Sequence, residues 1–411
     1  MATTGLTDRH IQYLESLTHL KSLTFWGSAD KLTDASLASI AKLKVLEELY
    51  FIMTSPKFTG GGFAHLKRLK HLRKLDLGFV QISDARYLME LSQLEFVKPI
   101  VLTADNMKVL SGFHHFKALG VTLPSLPNGS INDPLAALQL GALGSLEELN
   151  FCGSAGGRYV SDEEMACLES LGRLKKLHVG SNHLTDRGIV SISKLGQLEH
   201  LDISGHMELS KRGLNRLRGL TNLQTLDVKV FADAIRPSDG TTLDVSALTN
   251  VKTLELSGCS LQDADLVSLA GLRHLEWLIL DGTFSEEGLW RLSNLSELKH
   301  LTVNGISCTV GDRLGDLGGL AKLGHLTLRG RITDAALGRL TGLSSLWSLR
   351  VETDELIRPE TVAHLKQAMP AITYIHIDKP QVRQPSRRQQ HSLVNPPRVN
   401  PRTSQDRRRR R

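Results

Sequence analysis

The apolar residues of this chain follow one linked pattern, and residues 323–343, LGHLTLRGRITDAALGRLTGL, carry it most clearly. Leu323, Leu326 and Leu328 are spaced L-x-x-L-x-L, which predicts a short strand that buries Leu326 and Leu328 on one face. A turn at 329–331 leads to Ile332-Thr333-Asp334, after which Leu337, Leu340 and Leu343 take the three-to-four spacing of an amphipathic helix. Thr333 is the expected N-cap, and Asp334 places negative charge in the first turn, where the helix dipole favours it. One unit is therefore strand, turn and helix, and its apolar face has nothing to pack against in isolation.

The strand half recurs from Leu20, Leu46 and Leu72 through Leu146, Leu174, Leu198, Leu223, Val251, Leu275, Leu298, Leu323 and Leu346 to Ile372. Two degenerate copies are placed at Leu94 and Phe116, giving 15 strands at a mean period of about 25 residues. The helical half recurs in phase as LTDRHIQYL (6–14), LTDASLASI (32–40), VSDEEMACL (160–168), LTDRGIVSI (184–192) and LQDADLVSL (261–269). Stacked in order, such units give a right-handed α/β solenoid, a horseshoe with a parallel concave sheet and convex helices. The sheet should be roughly 70 Å long before curvature.

Residues 1–378 are thus expected to form one long repeat domain. Pro99, Pro124, Pro127 and Pro134 predict an irregular, edge-like stretch over 94–140, because proline removes a ladder donor. Residues 229–244 insert polar material between two good strands and read as a loop, either tolerated or partner-binding. From 379 to 411 the chain is rich in Pro, Gln, Arg and Ser and ends in five arginines, a composition that predicts a disordered basic tail.

Only 5% of the residues are aromatic, so leucine carries the packing. The net charge of +7 is uneven: residues 379–411 hold 11 basic residues against Asp406, or +10, which leaves −3 on 1–378. Cys152, Cys167, Cys259 and Cys308 form no C-x-x-C pair and read as reduced thiols of an intracellular protein. With neither a basic-then-apolar leader nor a run of 18 apolar residues, the expected location is cytoplasmic, or nuclear through the basic tail.

These features resemble the leucine-rich repeat proteins over residues 6–378. The I/L-T-D-x-x-L-x-x-L half is most similar to the cysteine-containing subclass associated with F-box substrate receptors. VKTLELSGCSLQDADLVSLAGL (251–272) matches it best, with Cys259 at the cysteine position. With five residues before Leu6, no F-box is expected in the sequence itself. The resemblance implies a protein-binding scaffold, or the substrate-recognition part of a ubiquitin ligase whose docking part lies on another chain.

No phosphate-binding loop, dinucleotide fingerprint, nucleophile elbow or H-E-x-x-H occurs, so no catalytic site, metal or cofactor is expected. The histidines, among them His19, His71, His200, His274 and His300, recur near strand starts and read as partly exposed repeat positions. Function should lie on the concave face, where residues between the inward leucines point out. Asp202, Asp227 and Glu255 fall at one phase of consecutive repeats, so their carboxylates should stack at about 5 Å, with Asp281 one column over. They read either as solvated positions partly neutralised by Lys229, Lys176 and nearby histidines, or as a column that receives a basic segment of a partner. Trp26, Tyr50 and Trp277 are outward aromatics suited to anchoring a protein, whereas Trp290 is expected in a helix and the core. The tail could attach weakly to nucleic acid or an acidic surface, which steep salt dependence would reveal, or fold back on Asp202, Asp227 and Glu255.

Overall fold

The computed structural model describes residues 5–378 except 29, 53–55, 79, 81, 102, 114–115, 123–139, 152–159, 206–207, 231–239 and 309–312. The Arg-rich segment 379–411 and part of each expected irregular stretch lie outside the described residues. The rest forms a solenoid around one parallel sheet whose 15 strands are ordered strictly as they occur in the chain. They are β1 Ser22–Trp26, β2 Glu48–Ile52, β3 Lys74–Asp76, β4 Phe96–Val101, β5 Ala118–Thr122, β6 Glu148–Phe151, β7 Lys176–Asn182 and β8 His200–Gly205. The second half comprises β9 Thr225–Val230, β10 Thr253–Gln262, β11 Trp277–Phe284, β12 His300–Cys308, β13 His325–Ile332, β14 Ser348–Glu352 and β15 Tyr374–Asp378. Each strand starts two residues after the first apolar residue of its unit, at all fifteen expected places. The side chains alternate accordingly: Leu226, Val228 and Val230 are buried, while Thr225, Asp227 and Lys229 face outward. The inward leucines, valines and phenylalanines of all units merge into one continuous core.

The proline-bearing stretch does not break the sheet within the described residues. β4, with Pro99, pairs with β3 and β5, and the irregularity is a register shift between Val97 and Ile100. The convex elements are shorter than an amphipathic helix implies. Most are short, from helices such as the seven-residue Asp186–Ile192 to 3₁₀ turns such as Asp263–Leu269, although the last described helix, Pro359–Ala368, has ten residues. A unit of about 25 residues leaves room for only a turn or two between strands, and the tighter 3₁₀ winding fits that space.

The aspartate of the T-D motif links neighbouring units. Asp162 Oδ1 accepts the backbone N–H of Thr185 at 2.9 Å, and its Oδ2 accepts the Thr185 hydroxyl at 2.6 Å. Thr185 caps the next helix by accepting from the Arg187 N–H. Asp8 does the same for Thr33, Asp34 for Thr59, Asp186 for Ser210 and Asp263 for Ser285, and Asp334 takes the Arg358 N–H. At Asp8, burial raises the pKa, but bonds from Ser36 and Thr33 outweigh it and hold the carboxyl below its ordinary value.

Between β9 and β10 the described residues 240–250 contain no helix, and there the link is built differently. Lys211 stands at the first helical position that aspartate holds in neighbouring units. Its Nζ lies 2.6 Å from Asp265 Oδ2, and both side chains are almost fully buried. Asp265 also accepts the N–H groups of Leu243 and Gln262, each at 2.7 Å. This ion pair spans 54 residues and joins the units on either side of this stretch.

Candidate interaction surface

Three outward columns run along the concave face. The central one is registered residue by residue from Asn150 through His178, Asp202, Asp227, Glu255, Ile279, Thr302, Thr327 and Arg350 to His376. Asp202, Asp227 and Glu255 therefore stand side by side on β8, β9 and β10, and Asp281 lies in the next column on β11. Trp277 begins β11, close to them. Trp26 and Tyr50 sit on β1 and β2, at the far end of the sheet, and do not join this group.

The carboxylates find partners within the chain. His178 Nδ1 lies 2.6 Å from Asp202 Oδ2. Lys229, from the neighbouring column, lies 2.5 Å from Asp227 and 3.1 Å from Glu255. Lys176 faces Glu148 instead, at 3.7 Å. Asp281 accepts the Gly258 N–H at 3.2 Å. Burial raises the Asp227 pKa; Lys229 opposes the rise, while Glu255 and Asp202 add to it. The second oxygen of Asp227, Oδ1, is buried without a hydrogen-bond partner. Four carboxylates against one lysine and one histidine leave the patch net negative. Beside it, Asn150, His178, His200, Asp202 and Thr225 line a cleft of about 250 Å³.

A second feature begins at β11. Trp277, His300 and His325 occupy one outward column on β11, β12 and β13. The Trp277 and His300 rings stack at 4.1 Å with 26° between their planes. His325 follows at 5.8 Å and Trp347 at 5.9 Å. Trp277 is 43% exposed and Trp347 50% exposed. Burial holds both imidazoles below their usual pKa, helped by the charge of His325 and Lys299 on His300 and of Arg350 on His325. The row is therefore uncharged at neutral pH. Trp347 precedes its strand, where earlier units carry a charged ladder such as Lys21–Glu47, Glu147–Lys175 and Glu276–Lys299. The indole fits there because its neighbour in the preceding unit is Gly324: a β-carbon on Gly324 would lie 2.7 Å from Trp347 Nε1.

The sequence reading named Trp277 but left His300 as repeat filler and did not single out His325 or Trp347. The available signal was the glycine at 324, facing a tryptophan one unit later, at a position where most units carry a charge. Trp290 opens the 3₁₀ turn Trp290–Asn294 and is half-buried, not in the core. Among the described residues no group of histidine, cysteine or acidic side chains is arranged to hold a metal ion, and no helix is long and apolar enough to cross a membrane.

Comparison with known proteins agrees with this architecture. The family model described as "Leucine Rich repeat" matches residues 174–193 and 247–270. A leucine-rich repeat protein of Leptospira interrogans superposes with a TM-score of 0.55 at 16% identity, covering 91% of this chain and 95% of that one. An internalin of Listeria monocytogenes gives a TM-score of 0.49 at 18% identity, with 91% and 89% covered. No curated protein matches the sequence. The finer resemblance to the F-box-associated subclass gains no support from these matches. Repeat phase, sheet topology and the family match over these two stretches together show that the chain has the leucine-rich repeat fold.

Proposed function

We propose that this chain is a non-enzymatic scaffold that binds a protein partner on its concave face, with the row from Trp277 to Trp347 as the anchor. The observation that carries this reading is the row itself: four rings in line, the two indoles about half exposed, on a sheet fixed by a continuous core. Exposed aromatics held rigidly supply contact area at little ordering cost. The net negative patch next to Trp277 favours a partner segment that brings a basic side chain.

The test is capture by the full chain, by Trp277→Ala/Trp347→Ala, and by the convex control Arg187→Ala, with bound proteins identified by mass spectrometry at low and high salt. A protein held by wild type and Arg187→Ala at high salt, and retained at least tenfold less by the double variant, supports the reading. Equal retention by the double variant overturns it. Material lost to nuclease or salt in all three would place binding in the basic tail.

A further inference from the structure

We propose that the open edge of β1 pairs with β1 of a second copy, antiparallel about Thr24, so that two solenoids share one continuous sheet. This surface is separate from the aromatic row, and the pairing does not depend on the partner assigned to that row.

The first described unit leaves its core open on the side away from β2. Leu6, Leu14, Leu20 and Leu23 are only partly buried there, and Leu17 is 47% exposed. Their counterparts 26 residues later, Leu32, Ile40, Leu46, Leu49 and Leu43, are buried. Tyr13 is 68% exposed, yet its counterpart Ser39 is buried and donates its hydroxyl to Glu15 of the preceding unit. Tyr13 thus projects where a neighbouring unit would pack. The end of a repeat array needs a polar outer face, but Asp8, Glu15 and Lys21 turn instead to the next unit, to Thr33, Lys42 and Glu47.

The edge strand itself selects the occupant. β1 reads Ser22-Leu23-Thr24-Phe25-Trp26, with no charge and no proline, the usual devices that keep an edge from pairing. The Lys21 carbonyl accepts the N–H groups of Glu47 and Glu48 and so faces β2. Backbone groups alternate in direction along a strand, so those of Ser22, Thr24 and Trp26 face the open side. A two-fold axis through Thr24, perpendicular to the sheet, sets Thr24 against Thr24 and Ser22 against Trp26. Every open-side N–H and C=O of β1 then finds a partner. On the inner face Leu23 meets Phe25, and on the concave face each indole lies beside a small serine. At the other end of the sheet, β15 carries His376 and Asp378, which pair with each other and with Arg350. That charged edge is the poorer one to pair.

Tyr13, Leu17, Trp26 and the partly buried leucines offer roughly 500 Å² of apolar surface per copy. The pair would bury roughly 1,000 Å², at the lower bound for a specific interface, so the dimer should dissociate on dilution. A closed two-fold pair is also the commonest symmetric assembly. Both concave faces then open on the same side, which presents the aromatic row twice.

The test is sedimentation equilibrium of the full chain over about a hundredfold range of concentration, which should show a reversible monomer–dimer equilibrium. Thr24→Pro removes an N–H that faces the open edge and none that bonds β2. Leu17→Glu places a charge in the seam. Each should raise the dissociation constant at least tenfold, while Leu356→Glu, at a leucine 85% exposed near the other end, should leave it unchanged. Circular dichroism checks that each variant folds, and if Thr24→Pro does not, Leu17→Glu alone decides. A monomer at every concentration, or a dimer indifferent to Leu17→Glu, would overturn the proposal. So would equal weakening by Leu356→Glu, or species that grow past the dimer, as stacking of β15 on β1 would give.

Discussion

The carboxylate of Asp186 fills the space that a side chain on Gly213 would need. A β-carbon built on Gly213 would lie 2.0 Å from Asp186 Oδ1, far inside van der Waals contact, and the same collision recurs between Gly188 and Asp162 and between Gly288 and Asp263. The glycine sits three residues after the N-cap, and the aspartate of the preceding unit reaches in to bind that cap. Gly213→Ala should therefore cost about 1–3 kcal/mol in denaturant unfolding. Gly196→Ala, which meets nothing within 4 Å, should stay within about 0.5 kcal/mol. Adding Asp186→Ala should cost less in the Gly213→Ala background than in wild type, because the two changes share one space.

The Lys211–Asp265 pair offers a sharper test. Lys211→Met removes one partner of an ion pair almost fully out of water and leaves a buried carboxylate unmatched. The expected cost is about 3–5 kcal/mol by urea denaturation. Lys194→Met, at an exposed pair with Glu169, should cost less than about 1 kcal/mol. Similar losses at the two sites would show that the buried pair does not hold the flanking units together.

Acid should weaken the aromatic row. His300 and His325 have folded pKa values below the unfolded value of 6.5, so the unfolded chain binds more protons as pH falls. Stability rises with pH where the unfolded state is the more protonated. The contribution is therefore complete above about pH 6.5, declines as pH falls through that value, and levels off below the folded pKa values. Thermal unfolding between pH 7.5 and 5 should show this slope, and His300→Gln/His325→Gln should flatten it. An identical slope in the variant would place the titration elsewhere.

Cys259 should be inert in the native protein. Its thiol is buried and pushed up to about 12, mainly by desolvation and further by Asp281. The thiolate that reacts is then scarce at neutral pH. Iodoacetamide at pH 8 should leave Cys259 unmodified by peptide mass mapping until denaturant is added. Modification at the rate of a free thiol would contradict the burial.

The strands were legible because L-x-x-L-x-L needs only local alternation, and equal phase in parallel units places Asp202, Asp227 and Glu255 in one column. Lys229 was also legible as their counter-ion, since it lies two residues from Asp227 on the same face. Lys176 was misassigned because Glu148 stands directly across from it. Trp347 was hidden by position: it lies one residue outside the strand phase, and only the glycine facing it permits the indole. The T-D aspartate read as a charge for its own helix because helix propensity is local, whereas its hydrogen bonds go to the next unit. Lys211 and Asp265 could not be paired from spacing, since their contact joins side chains 54 residues apart across an intervening unit.

The links from Asp8, Asp34, Asp162, Asp186, Asp263 and Asp334 point the same way along the chain, each to the start of the following unit's helix. Loss of a unit at the C-terminal end leaves behind a carboxylate that water can satisfy. Loss of one at the N-terminal end removes the carboxylate that holds the capping residue of the next helix in place. The solenoid is thus mechanically polar at these links: peeling begun at the first unit loosens the next cap wherever such an aspartate stands, while peeling begun at the last does not.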